Sequence, residues 1–258
     1  HAISLAGEAA ATGFRKFLAI GGDGTLSQLL NGARSAAGAD TEGLVLGLLP
    51  VGRGNDWARN YGIPRQYRLA ARVLARERSV PHDVGLAETF APEGVRLRSF
   101  INVAGVGFDA HIVARTPNDR WGALGYLAAL PAGFASYQAK PLTLSVDGQK
   151  VSGMIFVAFT ALGRYCGAGM HVAPHALADD GLFDVVIIED LSAFDLLLNV
   201  RRLFDGSIES YRKVKVLRGR TVDIAGPEPV PAEADGELLP STPIRLSVLP
   251  HAVRVVVP

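Results

Sequence analysis

Residues 21–25 read Gly-Gly-Asp-Gly-Thr and follow directly on the apolar run Phe17, Leu18, Ala19 and Ile20. The run predicts a buried strand, the glycines a tight turn, and the stretch from Thr25 to Leu30 the start of a helix. A strand emptying into a glycine turn ahead of a helix points to an α/β layer. Glycine lets a ligand approach the main chain closely. Backbone N–H groups at a helix N-terminus favour an anion. Asp23 adds a carboxylate beside that anion, which makes chemical sense with Mg²⁺ between them. The glycines alone would read as a plain strand-to-helix turn; Asp23 and Thr25 shift the reading to a nucleotide loop.

A second strand predicted at 44–50 empties into another glycine-rich turn, Gly52-Arg53-Gly54-Asn55-Asp56, ahead of a further helix. In open α/β sheets ligands collect outside the carboxyl ends of strands, so the two loops can face one cleft. The plain alternative for Asn55 and Asp56 is helix capping.

With these two segments the chain resembles the catalytic domain of diacylglycerol kinases and their bacterial lipid-kinase relatives, a family that includes sphingosine and ceramide kinases. The resemblance runs on in order. It takes in His82-Asp83-Val84-Gly85, the stretch from Phe100 to Asp109 with Asn102, Gly105 and Gly107, then Gly167-Ala168-Gly169-Met170, Ala178-Asp179-Asp180-Gly181-Leu182 and Ala234-Asp235-Gly236-Glu237. It departs at Arg53, where relatives carry a small hydroxyl residue, and at Ser27 and Gln28, where they carry Asn-Glu. Relatives also carry a longer segment ahead of the first glycine loop, with a first strand and an Asn-Pro-x-x-Gly phosphate loop. Only twenty residues precede Gly21 here, and the resemblance implies that the chain is a fragment.

The resemblance implies an α/β plus β fold. An N-terminal parallel α/β nucleotide-binding domain, of NAD-kinase/phosphofructokinase type, would span 1–83. A mainly antiparallel β-sandwich domain for the lipid would span 84–245, and a C-terminal strand at about 246–258 would return to the first domain. The residues agree with that division. Leu69, Ala70, Val73 and Leu74 have helical spacing before residue 80. After Asp83 strand candidates dominate, at 99–106, 142–146, 154–160, 183–188, 213–217 and 221–224. Asp147-Gly148 forms a hairpin turn between two of them, and helical interruptions fall at 121–137 and 193–204.

Composition excludes several classes. Apolar content of 48% against 20% charged residues excludes wholesale disorder. A net charge of +1 argues against nucleic acid as a partner. The single cysteine, Cys166, rules out an internal disulfide and suits a reducing, cytoplasmic setting; it reads as an inert thiol. The apolar run at 154–159 is too short to span a bilayer.

Glu233, Asp235 and Glu237 occupy alternate positions, which in an extended segment would put three carboxylates on one side. A solvated strand face is the plain reading. The resemblance instead implies that Asp235 and Glu237 are catalytic and serve the acceptor hydroxyl, one of them as base; Glu233 has weaker support. It implies ATP on Gly21, Gly22, Asp23, Gly24, Thr25, Leu26, Ser27 and Gln28, with Gly52, Arg53 and Asn55 from the second loop. It implies Mg²⁺ partnered by Asp23 and Asp83 through water, with Glu237. A separate structural Mg²⁺ would be held by Asp180 and the carbonyls of Leu177 and Leu182, where the plain reading is an Asp-Gly turn. Arg65, Arg68, Arg72 and Arg76 fall on one helix face. That face is either solvated or drawn to an anionic membrane surface. His82 and His111 read as ordinary loop or strand residues.

Together with the resemblance, these readings imply an ATP- and Mg²⁺-dependent lipid kinase that would act at a membrane surface as a peripheral protein, with a homodimer compatible with them. The alternatives are an NAD kinase-like enzyme, which shares Gly-Gly-Asp-Gly, and a non-catalytic nucleotide- or lipid-binding regulator, suggested by Arg53, Gln28 and the short start.

Overall fold

A computed structural model of the chain describes residues 1–38, 41, 43–52, 54–91, 94–115, 132–134 and 136–258. Helix α1 (Ala2–Ala11) leads to strand β1 (Lys16–Gly21), the first glycine turn, helix α2 (Asp23–Ala37) and strand β2 (Val45–Pro50). β1 and β2 are parallel, from Lys16 opposite Val45 to Gly21 opposite Pro50. Both glycine loops therefore leave the sheet at the same edge. Helices α3 (Asp56–Asn60) and α4 (Tyr67–Ala75) follow. α4 buries Ala70 and Val73, while Leu69 is 39% exposed. The helix rides close on β2, where Leu74 fills the space over Gly47, so its inward stripe is narrower than the four apolar residues suggest.

After α4 the chain is mainly antiparallel. Strands β3 (Ser79–Ala91) and β4 (Gly94–Phe100) form a hairpin, and β5 (Val103–Gly107) runs into helix α5 (Phe108–Arg115). β6 (Lys140–Val146) and β7 (Gln149–Ala161) pair through Asp147-Gly148, both at positive φ, as the sequence predicts. Then come β8 (Tyr165–Cys166), β9 (Met170–His171), β10 (Phe183–Glu189), β11 (Val214–Gly219), β12 (Thr221–Ala225), β13 (Ala232–Ala234), β14 (Glu237–Leu239) and β15 (Ile244–Val256). Helices Ala193–Asn199 and Arg202–Asp205 fill the interruption expected at 193–204. The one expected at 121–137 lies largely outside the described residues.

Two expectations fail at one place. The strand predicted over 99–106 is broken between Phe100 and Val103, and the alternating acids do not lie along one strand. Asp235 and Gly236, at φ 50° and 82°, make a hairpin turn, so Ala234 pairs with Glu237 across it. The Asp235 carboxylate then reaches back to the strand break. This is the same Asp-Gly turn chemistry as at 147–148.

The long strands β3 and β15 tie the layers together. Residues 244–249 of β15 pair with β3 and β12, whereas its end pairs with Ser79–His82 and lies parallel to β2 at Val45 and Leu46. The register breaks between Leu249 and Val253, with His251 at φ 51°. Leu26, Leu30, Leu46, Leu48, Trp57 and Val255 belong to the core of the α/β layer. Phe100, Leu144, Ile155, Phe183, Ile224 and Leu246 belong to that of the antiparallel layer.

Candidate active site

The two glycine loops are built against each other. Gly21 O accepts the N–H groups of Val51 at 2.9 Å and Gly52 at 3.0 Å. A Cβ on Gly52 would lie 2.5 Å from the Gly22 Cα, a distance only glycine tolerates. Asp23 opens α2, and its carboxylate accepts the N–H groups of Asp56 and Trp57, each at 3.0 Å. It thereby caps α3 from the neighbouring loop. Asn55, the residue placed to cap that helix, sits instead at φ 53° and donates Nδ2–H to Gly52 O at 2.6 Å. Thr25 folds back over Gly21. Leu26 and Ser27 are fully buried, so neither side chain is exposed to a ligand. Gly24 has open space on its Cβ side. Arg53 lies outside the described residues.

The β13–β14 hairpin forms the facing wall. Asp235 Oδ2 accepts the N–H of Ile101 at 2.9 Å, and Oδ1 those of Asn102 at 3.0 Å and Val103 at 3.3 Å. Burial pushes the Asp235 carboxyl up to about 6 against the pull of those N–H groups. Glu237 is half-exposed, and Gln28 Nε2 donates to its Oε1 at 3.3 Å. This hydrogen bond joins α2 of the first loop to the far hairpin.

Between them lies a cleft of about 190 Å³ whose lining includes Asp23, Asp56, Asp109, Cys166, Glu233 and Asp235. Asp56 Oδ2 accepts the Ala168 N–H at 2.7 Å, whereas Asp56 Oδ1 is buried without a hydrogen-bond partner, 3.8 Å from Arg59 Nε. Burial and then the nearby Asp23 push the Asp56 carboxyl up to about 6. Burial raises Asp23 as well. Burial, then Asp109, Asp56 and Glu233, push the Cys166 thiol up, which makes it a poor nucleophile. The sequence offers Glu233 only as the weakly supported member of the acid triplet, and Asp109 only as the end of the stretch at 100–109; both line the cleft.

Among the described residues no three His, Cys, Asp or Glu side chains form a ready metal cage. Mg²⁺ seldom needs one, since it commonly takes one or two carboxylates together with substrate phosphates. The orphan oxygen of Asp56 and the adjacent Asp23 fit that demand. Asp83 is elsewhere. It is fully buried, with Oδ1 accepting the N–H of His251 at the β15 register break and Oδ2 that of Gly181, both at 2.7 Å. It knots that break to the Asp180 turn and is not brought to Asp23. Asp180 Oδ1 accepts the Leu182 N–H at 3.0 Å, and its Oδ2 is taken by Arg218. The turn as arranged does not fit a divalent cation, because the guanidinium already supplies the positive charge. Leu177 is 45% exposed beside it.

His82 is fully buried in β3, and His111 lies on α5 rather than in a loop or strand. Among the described residues no helix is long and apolar enough to cross a membrane.

Residues 1–87 match the diacylglycerol kinase catalytic domain, and residues 102–257 match the YegS C-terminal NAD kinase beta sandwich-like domain. The chain belongs to the diacylglycerol kinase and YegS-like lipid kinase family. It is 30% identical to a probable lipid kinase YegS-like protein of Shewanella frigidimarina, over 97% of this chain and 79% of that protein. It is 29% identical to a diacylglycerol kinase of Mycobacterium tuberculosis, over 98% of this chain and 80% of that protein. A crystal structure of a diacylglycerol kinase from Bacillus anthracis superposes with a TM-score of 0.72 at 21% identity, covering 100% of this chain and 81% of that one. Yeast NADH kinase superposes with a TM-score of 0.51 at 10% identity, over 95% and 62%, a likeness of fold alone. Members of this kinase family are phosphotransferases, and kinase membership implies use of ATP.

Proposed function

We propose that the chain transfers the γ-phosphoryl group of ATP to a hydroxyl of diacylglycerol or a related lipid, with Glu237 as the general base. The observation that carries this is the Gln28–Glu237 hydrogen bond, which sets a half-exposed carboxylate against the helix of the nucleotide loop. Asp235 is held by three backbone N–H groups and acts as a positioning residue. Glu237 is the member of the pair placed to take a proton from the acceptor.

The N–H groups at the start of α2 and the close-set Gly22 and Gly52 loops receive the phosphates. Asp23 and Asp56 would hold Mg²⁺, which when bound would neutralise phosphate charge. Glu237 removes the hydroxyl proton as the oxygen attacks, and positioning carries most of the rate. Association with a membrane surface follows from a lipid acceptor. Incubation with γ-labelled ATP and a panel of lipids tests the reading. Label in a lipid product is expected, and label released only as inorganic phosphate contradicts it.

A further inference from the structure

Asp109 and Glu233 meet on the wall of the cleft, over Gly105. Glu233 lies on β13 directly opposite Gly105 of β5, and Asp109 is in the first turn of α5. A Cβ on Gly105 would stand 2.6 Å from Asp109 Oδ2 and 2.9 Å from Glu233 Oε1, so glycine leaves the room in which the two carboxyl groups come together. Both oxygens crowd the same point above Gly105, and only 5% and 3% of the two residues is exposed. Two carboxyl groups this close in a site shut off from water disfavour both being ionised at once. Glu233 Oε2, the other oxygen, accepts the Gly236 N–H at 2.7 Å. Gly236 joins Asp235 to Glu237. Asp109 therefore orients Glu233, and Glu233 holds the turn that presents Glu237.

We propose that Asp109 and Glu233 are positioning residues for Glu237, a carboxyl pair sharing one proton that fixes the Asp235-Gly236 turn. The inference rests on the reading of Glu237 as base. Burial, then Asp109, raises the Glu233 carboxyl well above the usual range. The titratable groups that line the cleft with the pair are acids: Asp235 on the same hairpin, and Cys166, Asp23 and Asp56 across it. α5 also packs against β14, which carries Glu237, and its own His111 and Arg115 hydrogen-bond to each other. Each acid adds to the cost of a second negative charge on the pair. The orphan Asp56 Oδ1, 5% exposed by residue, opens on the same cleft and marks it as a place that receives a polar group. As pH rises and the shared proton leaves, two buried negative charges repel and the turn shifts.

The test compares Glu233→Ala, Glu233→Gln and Asp109→Asn in the whole chain. Lipid phosphorylation is measured from about pH 6 to about pH 9, and melting temperature over the same range without substrate. Glu233→Ala should lower kcat roughly tenfold or more with KM for ATP within about twofold. The Glu233→Gln amide can accept from Gly236 and donate to Asp109. It should restore most of kcat and lack the alkaline fall of the parent. A carboxyl raised in the folded state contributes stability at low pH that is lost as pH rises through its folded value. The parent's melting temperature should therefore fall more steeply with pH than that of Glu233→Gln. Should Glu233→Gln fail to fold, Asp109→Asn should show the same flattening. A conservative variant with the parent's alkaline fall and melting slope overturns the proposal, as does Glu233→Gln no more active than Glu233→Ala. If the parent phosphorylates no lipid, the kinase reading fails, and the melting slopes alone decide for or against the pair.

Discussion

The Asp23 carboxylate accepts the backbone N–H of Trp57 at 3.0 Å, so the acid of the first glycine loop caps the helix that follows the second. The two loops form one rigid rim through that contact. Asp23→Ala should lower the free energy of unfolding by about 1–2 kcal/mol, as loss of a helix cap does. Denaturant titration without nucleotide or Mg²⁺ reads this. An acid present only to hold a metal would leave the metal-free stability unchanged or improved.

Asp235 and Glu237 should separate by what they cost. Asp235→Asn puts an amide N–H against backbone donors at Ile101, Asn102 and Val103. It should lose about 1–3 kcal/mol of stability, since hydrogen bonds to charged groups are strong and a buried unmatched donor is costly. Glu237→Gln should unfold like the parent. Equal stability losses in the two variants would remove the distinction between positioning residue and base.

Trp57 Nε1 donates to His82 Nε2 at 3.1 Å, and His82 Nδ1 lies 2.5 Å from the Asp83 carbonyl oxygen. The ring is neutral with its proton on Nδ1, and burial lowers it from 6.5 to about 4. Between those values the unfolded chain binds a proton that the folded chain refuses, so this contribution to stability falls as pH drops through that window. Melting temperature followed from pH 6.5 toward 4 should fall less in His82→Phe than in the parent. Parallel curves would place the acid sensitivity elsewhere.

Arg218 bridges Asp180 and, at 3.4 Å, Asp184. Mg²⁺ alone should shift the melting temperature of the parent little. Arg218→Met frees the Asp180 carboxylate, and Mg²⁺ should then stabilise the variant detectably. A large Mg²⁺ effect in the parent that vanishes in Asp180→Asn would restore the turn as a metal site.

The fold was legible where the chain obeys local rules. The two apolar runs ending in glycine loops are parallel neighbours, and Asp147-Gly148 is the hairpin its residues predict. The same dipeptide at 235–236 was obscured by the alternation of acids around it, which suggested an extended strand. Pairing across the sheet was not legible. Gly105 stands opposite Glu233, more than a hundred residues later, and nothing local shows that Asp109 meets it there. Asp83 was read with the metal because its motif accompanies the nucleotide loops. Its work at the β15 register break depends on where His251 lands, which only the tertiary fold sets.

The account turns on Glu237 being the carboxylate that takes the acceptor proton. The most direct measurement is the rate of phosphoryl transfer from ATP to diacylglycerol by Glu237→Gln beside the parent, with ATP affinity measured on both. The account predicts a fall in kcat of about 10²–10⁴-fold, the usual cost of a lost general base, with ATP affinity within about twofold. Transfer at the parent's rate by a folded, ATP-binding Glu237→Gln would contradict it.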